Sequence, residues 1–415
     1  MSNIVTRKLS CGLPLIVEPI PGVRSCALTW LLPAGAAHDP ADRLGLSALW
    51  AELLLRGCGT LDSRAHADAC DALGIARSVE CGPLFIRLGA TMLGERLLDA
   101  IPLITDMVRR PRFDECSLDP ARELALMAID ALKDDPQERA MLLARARHYP
   151  APFDRSILGT TDGLNAATND DVRSRWAERA VPAGSILAIA GAVDPDAAAL
   201  TLDHLLKGWV GERNEPPIGP APSRGYHHAP DESNQVQILV LEDAPNDPDQ
   251  SSTLERVTTN VLSGGMSGRL FTEVREKRGL CYAVSASYAA DKRLGTRIAY
   301  VGTTPEKAQE SLDVLWAELR RARTTAGAVT PDEFRRAVIG MKSGVVFSGE
   351  STGARANALA ADFHRRGRAR SLAEIASEID RVTLDGVNAY LASAAASTRA
   401  TIQTLGPVAL TPPSP

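Results

Sequence analysis

Two stretches about half a chain apart follow the same plan, and this repetition constrains the fold more than any other feature. FIRLGATMLGERLLDAIPLITDMVRR, from Phe85, resembles RIAYVGTTPEKAQESLDVLWAELRR, from Arg297. Each is a strand ending near Gly-x-Thr, then an amphipathic helix closed by two arginines. Some ten residues later each reaches a helix start with proline in the first turn, Asp119-Pro120-Ala121 and Thr330-Pro331-Asp332. The offset of about 210 residues is half of 415, so the chain reads as one domain used twice. Between the halves, Gly211 to Asn234 is rich in proline, glycine and polar residues without periodicity, which reads as a linker. The expected division is 1–209, linker 210–234, and 235–415, with His227-His228 solvated in the linker.

Within the first half, Leu13 to Val17 and Cys26 to Leu32 read as strands. Leu46, Leu49, Trp50, Leu53 and Leu54 recur at i, i+3, i+4, i+7 and i+8, one apolar stripe on a helix. Helical periods follow over 95–109, 119–132 and 137–147, and Ser185 to Val193 reads as a buried strand. The second half restarts with a strand at Gln235 to Leu241. The expected class is α+β: two layered domains, each an antiparallel-rich sheet covered by helices.

Composition excludes several functions. Lys+Arg 46 against Asp+Glu 51 leaves a net charge of -5, so no general basic field attracts nucleic acid. There is no run of 18 apolar residues to cross a membrane and no secretory signal at the N-terminus. The seven cysteines are scattered and odd in number, which fits reduced thiols and a cytoplasmic protein. None of the seven histidines stands in H-x-x-E-H, H-x-x-E or C-x-x-C surroundings.

The segment most suggestive of chemistry runs from Leu262 to Tyr282. Gly264-Gly265 permits a tight turn, a helix carries Arg269 and Arg275, and Gly279 ends it before a strand. An arginine fork and a phenol, Arg275 and Tyr282, suit a peptide carbonyl or carboxylate. The same residues also read as a solvated helix followed by a core tyrosine. A phosphate loop fails because no Gly-Lys-Ser/Thr follows the glycines. Gly349-Glu350-Ser351-Thr352-Gly353 satisfies G-x-S-x-G, but the run before it is helical, and Asp362 and His364 follow too closely for a triad. His364 to Arg370 reads as a solvated basic helix end.

The stretch from Gly264 to Tyr282 resembles the C-terminal signature of the pitrilysin/insulinase-type metallopeptidases, in the short-chain group of mitochondrial processing peptidase. Cys11-Gly12-Leu13, Pro33-Ala34-Gly35 and Leu187 to Val193 resemble that family's opening strand, following turn and closing strand, so the resemblance covers nearly the whole chain. It implies two homologous domains forming a clam-like chamber. It also implies H-x-x-E-H and a later glutamate as a zinc site, and these are replaced here. Alignment on Gly45-Leu46 and Arg56-Gly57 puts the motif on Ala48, Ala51 and Glu52; alignment on Asp134-Asp135-Pro136 puts the last ligand on Ala128. Zinc catalysis needs three protein ligands and an open position, and these residues leave one carboxylate. The family's substrate-pairing edge strand falls on Gly74 to Val79 and has lost its Gly-Gly-x-x-Asn-Ala pattern. Arg275 and Tyr282 match the positions that hold substrate. The resemblance therefore implies a non-catalytic subunit, itself without cofactor, that lends Arg275 and Tyr282 to a zinc-bearing partner acting on peptides. The alternative is a structural homodimer of the same fold with no part in proteolysis.

Overall fold

The computed structural model describes residues 4–393 and 399–414. The N-terminal half runs β1 (Val5–Lys8), β2 (Pro14–Pro19), β3 (Ser25–Leu32), α1 (Leu46–Leu53), α2 (Ser63–Ala72), β4 (Ala76–Cys81) and β5 (Ile86–Leu93). It continues through α3 (Leu97–Arg109), α4 (Glu115–Ala131), α5 (Pro136–His148), α6 (Thr161–Ala166), α7 (Asn169–Arg179), β6 (Ile186–Gly191) and α8 (Pro195–Leu205). The C-terminal half runs β7 (Gly225–Pro230), β8 (Val236–Asp243), α9 (Ser252–Ser263), β9 (Cys281–Ala290), β10 (Gly295–Thr303) and α10 (Ala308–Arg321). Four helices follow, α11 (Pro331–Gly349), α12 (Thr352–Arg366), α13 (Leu372–Asp380) and α14 (Leu384–Ser393), before β11 (Thr401–Gly406). The α+β class holds.

The first sheet has the order β1-β2-β6-β3-β5-β4, the second β7-β11-β8-β10-β9. Omitting β1, the two are the same sheet. β2 lies parallel to β6 as β7 does to β11, and every other pairing in both is antiparallel. The repetition read from the sequence thus extends to strand order and direction. β6 is buried along its whole length, which is why Ser185 to Val193 reads as an unbroken apolar run rather than an alternating one.

Each half sends one helix to the other half's sheet. One unit comprises Met1–Ala131, Ala151–Pro220 and Ser348–Ser371; the other comprises Leu132–Pro150, Ala221–Phe347 and Leu372–Pro415. In the first unit α12 lays Ala356, Leu359 and Ala360 on Ile16, Ala27, Leu31, Ile186, Ala188 and Ala190, the face of the sheet opposite the main core. In the second unit α5 lays Ala140 and Ala144 on Leu239, Leu241, Ile298, Tyr300 and Leu405. Both helices present alanine to the sheet, so the backbones approach closely. One-unit-per-half boundaries at 1–209 and 235–415 therefore differ from the observed units by these two segments, because a helix's own periodicity does not say which sheet it will cover.

Two further differences have local causes. The segment 210–234 contains β7, because Gly225 to Pro230 pairs in parallel with Thr401 to Gly406, a partner far along the chain. His227 and His228 are accordingly strand residues, and His228 Nδ1 lies 3.0 Å from Thr404 Oγ1. α4 starts at Glu115, so Pro120 sits inside the helix rather than at its first turn. No described helix is long and apolar enough to cross a membrane.

Candidate functional site

The glycine-rich turn is shaped by close approach. α9 ends where the Gly264 amide donates to the Asn260 carbonyl at 2.6 Å. A β-carbon at Gly264 would lie 2.3 Å from Asn260 Oδ1, so only glycine fits. Gly265 has φ +135°, again open only to glycine. Beyond it the chain enters a π-helical segment, Phe271–Glu276.

Arg269, which opens this segment, is a structural clamp. Its side chain is 6% exposed. Nε and Nη2 donate to the two Glu333 carboxylate oxygens at 2.6 and 2.8 Å, Nη1 to the Gly327 carbonyl at 2.7 Å and Nη2 to the Ala328 carbonyl at 2.9 Å. Glu333 also accepts from the Thr330 amide and hydroxyl at the start of α11. Burial by itself would raise the Glu333 pKa, yet the hydrogen bonds from Arg269 and Thr330 and the guanidinium charge pull it down to about 2.

Arg275 differs from the cations around it. Lys277 and Arg278 both bind Glu273, at 2.7 and 2.9 Å. Arg275 is exposed, and its guanidinium lies 4.9 Å from the Phe271 ring centroid. Among the described residues no carboxylate pairs with it. The turn after it is held tightly: the Gly279 amide donates to the Arg275 carbonyl at 2.9 Å and the Leu280 amide to the Val274 carbonyl at 3.0 Å. From the other side Lys307 Nζ donates to the Gly279 carbonyl at 2.8 Å and Thr303 Oγ1 to the Leu280 carbonyl at 2.5 Å.

Tyr282 follows in β9 at a β-bulge. Gly302 of β10 pairs with Ala283, whereas Thr303 pairs with Cys281, which leaves Tyr282 as the extra residue. A bulge re-aims a side chain, and Tyr282 is 69% exposed. The core-tyrosine reading of this position is thereby corrected: Cys281 beside it takes the buried place. An exposed guanidinium and an exposed phenol thus flank a rigid turn, each with its polar end available to a peptide group.

The aligned metal positions offer no comparable chemistry. Ala48, Ala51 and Glu52 lie at i, i+3 and i+4 on the half-buried side of α1, opposite its core residues Leu46, Leu49, Trp50 and Leu53. Glu52 Oε1 accepts from Arg56 Nη2 at 2.8 Å and Nε at 3.0 Å, so this carboxylate is already engaged. Ala128 is exposed on α4. Among the described residues no group of three His, Cys, Asp or Glu is placed to hold a metal ion. A zinc ion does not fit this donor set. β4, which carries the aligned edge segment, pairs with β5 and ends its sheet.

Other motifs resolve into structure. Ser351 of G-x-S-x-G caps α12, accepting from the Ala354 amide at 3.2 Å, and sits between two helices. The basic run is not wholly solvated: Arg370 is buried against Asp362 at 2.7 and 2.9 Å.

The chain is similar to known proteins over part or nearly all of its length. Residues 166–341 match the family model described as the peptidase M16 inactive domain. A Mycobacterium leprae protein named an uncharacterised zinc protease is 27% identical, over 98% of this chain and 93% of its own. A Bacillus subtilis protein named uncharacterised zinc protease YmxG is 24% identical, over 91% of this chain and 92% of its own. The crystal structure of a peptidase M16 inactive domain from Pseudomonas fluorescens superposes with a TM-score of 0.84 at 19% identity, covering 99% of both chains. A chain of complex III from Candida albicans gives 0.81 at 16% identity, covering 97% of this chain and 96% of its own. Residues 166–341 thus resemble an M16 inactive domain, and the chain as a whole is similar to proteins named zinc proteases and has the M16-like peptidase fold.

Proposed function

We propose that the chain is a non-catalytic, zinc-free subunit of a two-component insulinase-type peptidase. It holds peptide through Arg275 and Tyr282 while a zinc-bearing partner subunit supplies the metal and the cleavage. The observation that carries this reading is the contrast between two sets of residues. Arg275 and Tyr282 are exposed and positioned by a bulge and a braced turn, whereas Ala48, Ala51, Glu52 and Ala128 supply no ligand set. An arginine fork can bind a carbonyl or carboxylate, and a phenol adds one donor and one acceptor.

Purified alone, the chain should contain no zinc and cleave no peptide. Mixed with a zinc-bearing family member, it should restore cleavage, and Arg275→Ala or Tyr282→Phe should then raise KM. Both residues are exposed, so neither change should alter stability by more than about 0.5 kcal/mol. Unchanged cleavage by both variants in the reconstituted pair would remove their assigned role. A stable homodimer without peptide affinity, and without a zinc-bearing partner on pull-down, would favour the structural alternative.

A further inference from the structure

We infer that the pocket between the end of α9, the glycine turn and the first turns of α11 is a binding site for a small oxyanion, a phosphate or carboxylate group. The cavity measures about 90 Å³ and is lined by Asn260, Ser267, Glu333, Arg336 and neighbouring small residues. It lies within one unit of the molecule. Its polar groups are unspent: among the described residues none hydrogen-bonds to the Asn260 side-chain amide, the Ser267 hydroxyl or the Arg336 guanidinium.

The Glu333 carboxylate does not make this a cation site. Both of its oxygens are taken by Arg269, and one also accepts from the Thr330 amide and hydroxyl. Arg269 cancels the Glu333 charge, and Arg336 leaves the pocket with one net positive charge. The available groups are mostly donors, in the fork geometry that matches carboxylate and phosphate oxygens. Asn260 is held at the rim because Gly264 packs against it, which ties the pocket's shape to the Gly-Gly sequence. The volume is ample for one such group. None of these residues belongs to the Arg275–Tyr282 pair, so the site stands independently of the function proposed above.

The test is calorimetric titration of the full chain, in a buffer free of oxyanions, with inorganic phosphate, with acetate, and with one short peptide as free acid and as amide. Saturable one-to-one binding is expected for at least one probe. Arg336→Gln should weaken it about tenfold or more, and Ser267→Ala should weaken it measurably, with the unfolding midpoints of the ligand-free variants unchanged. Arg335→Gln is the control, since it removes the same charge one residue away from a side chain paired with Asp332. Binding of phosphate alone identifies a free phosphate or phosphomonoester as ligand. Binding of the peptide acid but not the amide identifies a chain terminus. Absence of saturable binding by all four probes, or equal weakening in Arg335→Gln, overturns the site.

Discussion

Arg269 and Glu333, far apart in sequence, form a buried two-pronged ion pair that fastens the glycine-rich turn to the start of α11. Arg269 is fully engaged, because its remaining donors meet the carbonyls of Gly327 and Ala328. Removing one partner leaves a charge uncompensated in a poorly hydrated place. Glu333→Gln should therefore lower stability in urea by about 3 kcal/mol. The pH dependence has a fixed sign. Glu333 has a depressed pKa in the folded chain, about 2 against an ordinary 4.5. Its contribution is complete above about pH 4.5 and drains away as pH falls towards 2. The stability difference between wild type and Glu333→Gln, followed by urea titration across this range, should shrink in the same direction.

Gly279 makes a second prediction because it isolates backbone strain. Its φ is +60° and an added methyl would meet no atom within 4 Å. Gly279→Ala should then lose about 1 kcal/mol from the left-handed backbone alone. Gly279→Asn should recover part of that loss, since asparagine tolerates this region. The turn sets the placement of Arg275 against Tyr282, so peptide affinity of a reconstituted pair should fall with Ala and return with Asn. Loss of stability without any change in affinity would separate the turn from the site.

These residues also show what the sequence conveys and what it does not. The apolar stripe of α1, the strands at Cys26 to Leu32 and Gln235 to Leu241, and the likeness of the two halves are local patterns, and they are legible. The Arg275–Tyr282 spacing is legible for the same reason. The exposure of Tyr282 is not, because it depends on a bulge opposite Gly302 and Thr303 of another strand. Arg269 looks like Arg275 in sequence; its role is decided by a glutamate that arrives through tertiary contact. β7 lies in a proline-rich segment and exists because β11 offers it a parallel edge. The destinations of α5 and α12 are likewise set by which sheet face remains uncovered, which no helical period encodes.

His148 supplies a prediction in a milder pH range. It closes α5, is 1% exposed, and its Nδ1 lies 3.1 Å from Thr401 Oγ1. Burial, aided by the nearby Arg224 charge and opposed by Asp243, lowers its pKa from 6.5 to about 4. The unfolded chain therefore takes up a proton that the folded chain refuses. Stability is complete above about pH 6.5 and falls as pH drops towards 4, by an amount on the order of 3 kcal/mol. His148→Gln should flatten the stability profile between pH 6.5 and 4. An unchanged profile would mean that other groups govern acid unfolding.

The alignment that places a family zinc site on α1 and α4 can be tested by building that site there. Ala48 and Glu52 lie one helical turn apart on the same side of α1, and α1 packs against α4, which carries Ala128. The combined substitutions Ala48→His, Glu52→His and Ala128→Glu would supply two imidazoles and a carboxylate, the three protein ligands an open zinc site requires. Ala51→Glu would add a carboxylate beside the metal as general base. The stability penalty should be small, because Glu52→His gives up a partly exposed i,i+4 pair with Arg56 worth about 0.3–0.5 kcal/mol. Elemental analysis after dialysis should find about one zinc per rebuilt chain and none in the wild type, with affinity falling at acid pH as the imidazoles protonate. A folded, zinc-free variant would show that the ligand positions have been assigned to the wrong residues, and with them the placement of the loss on α1 and α4.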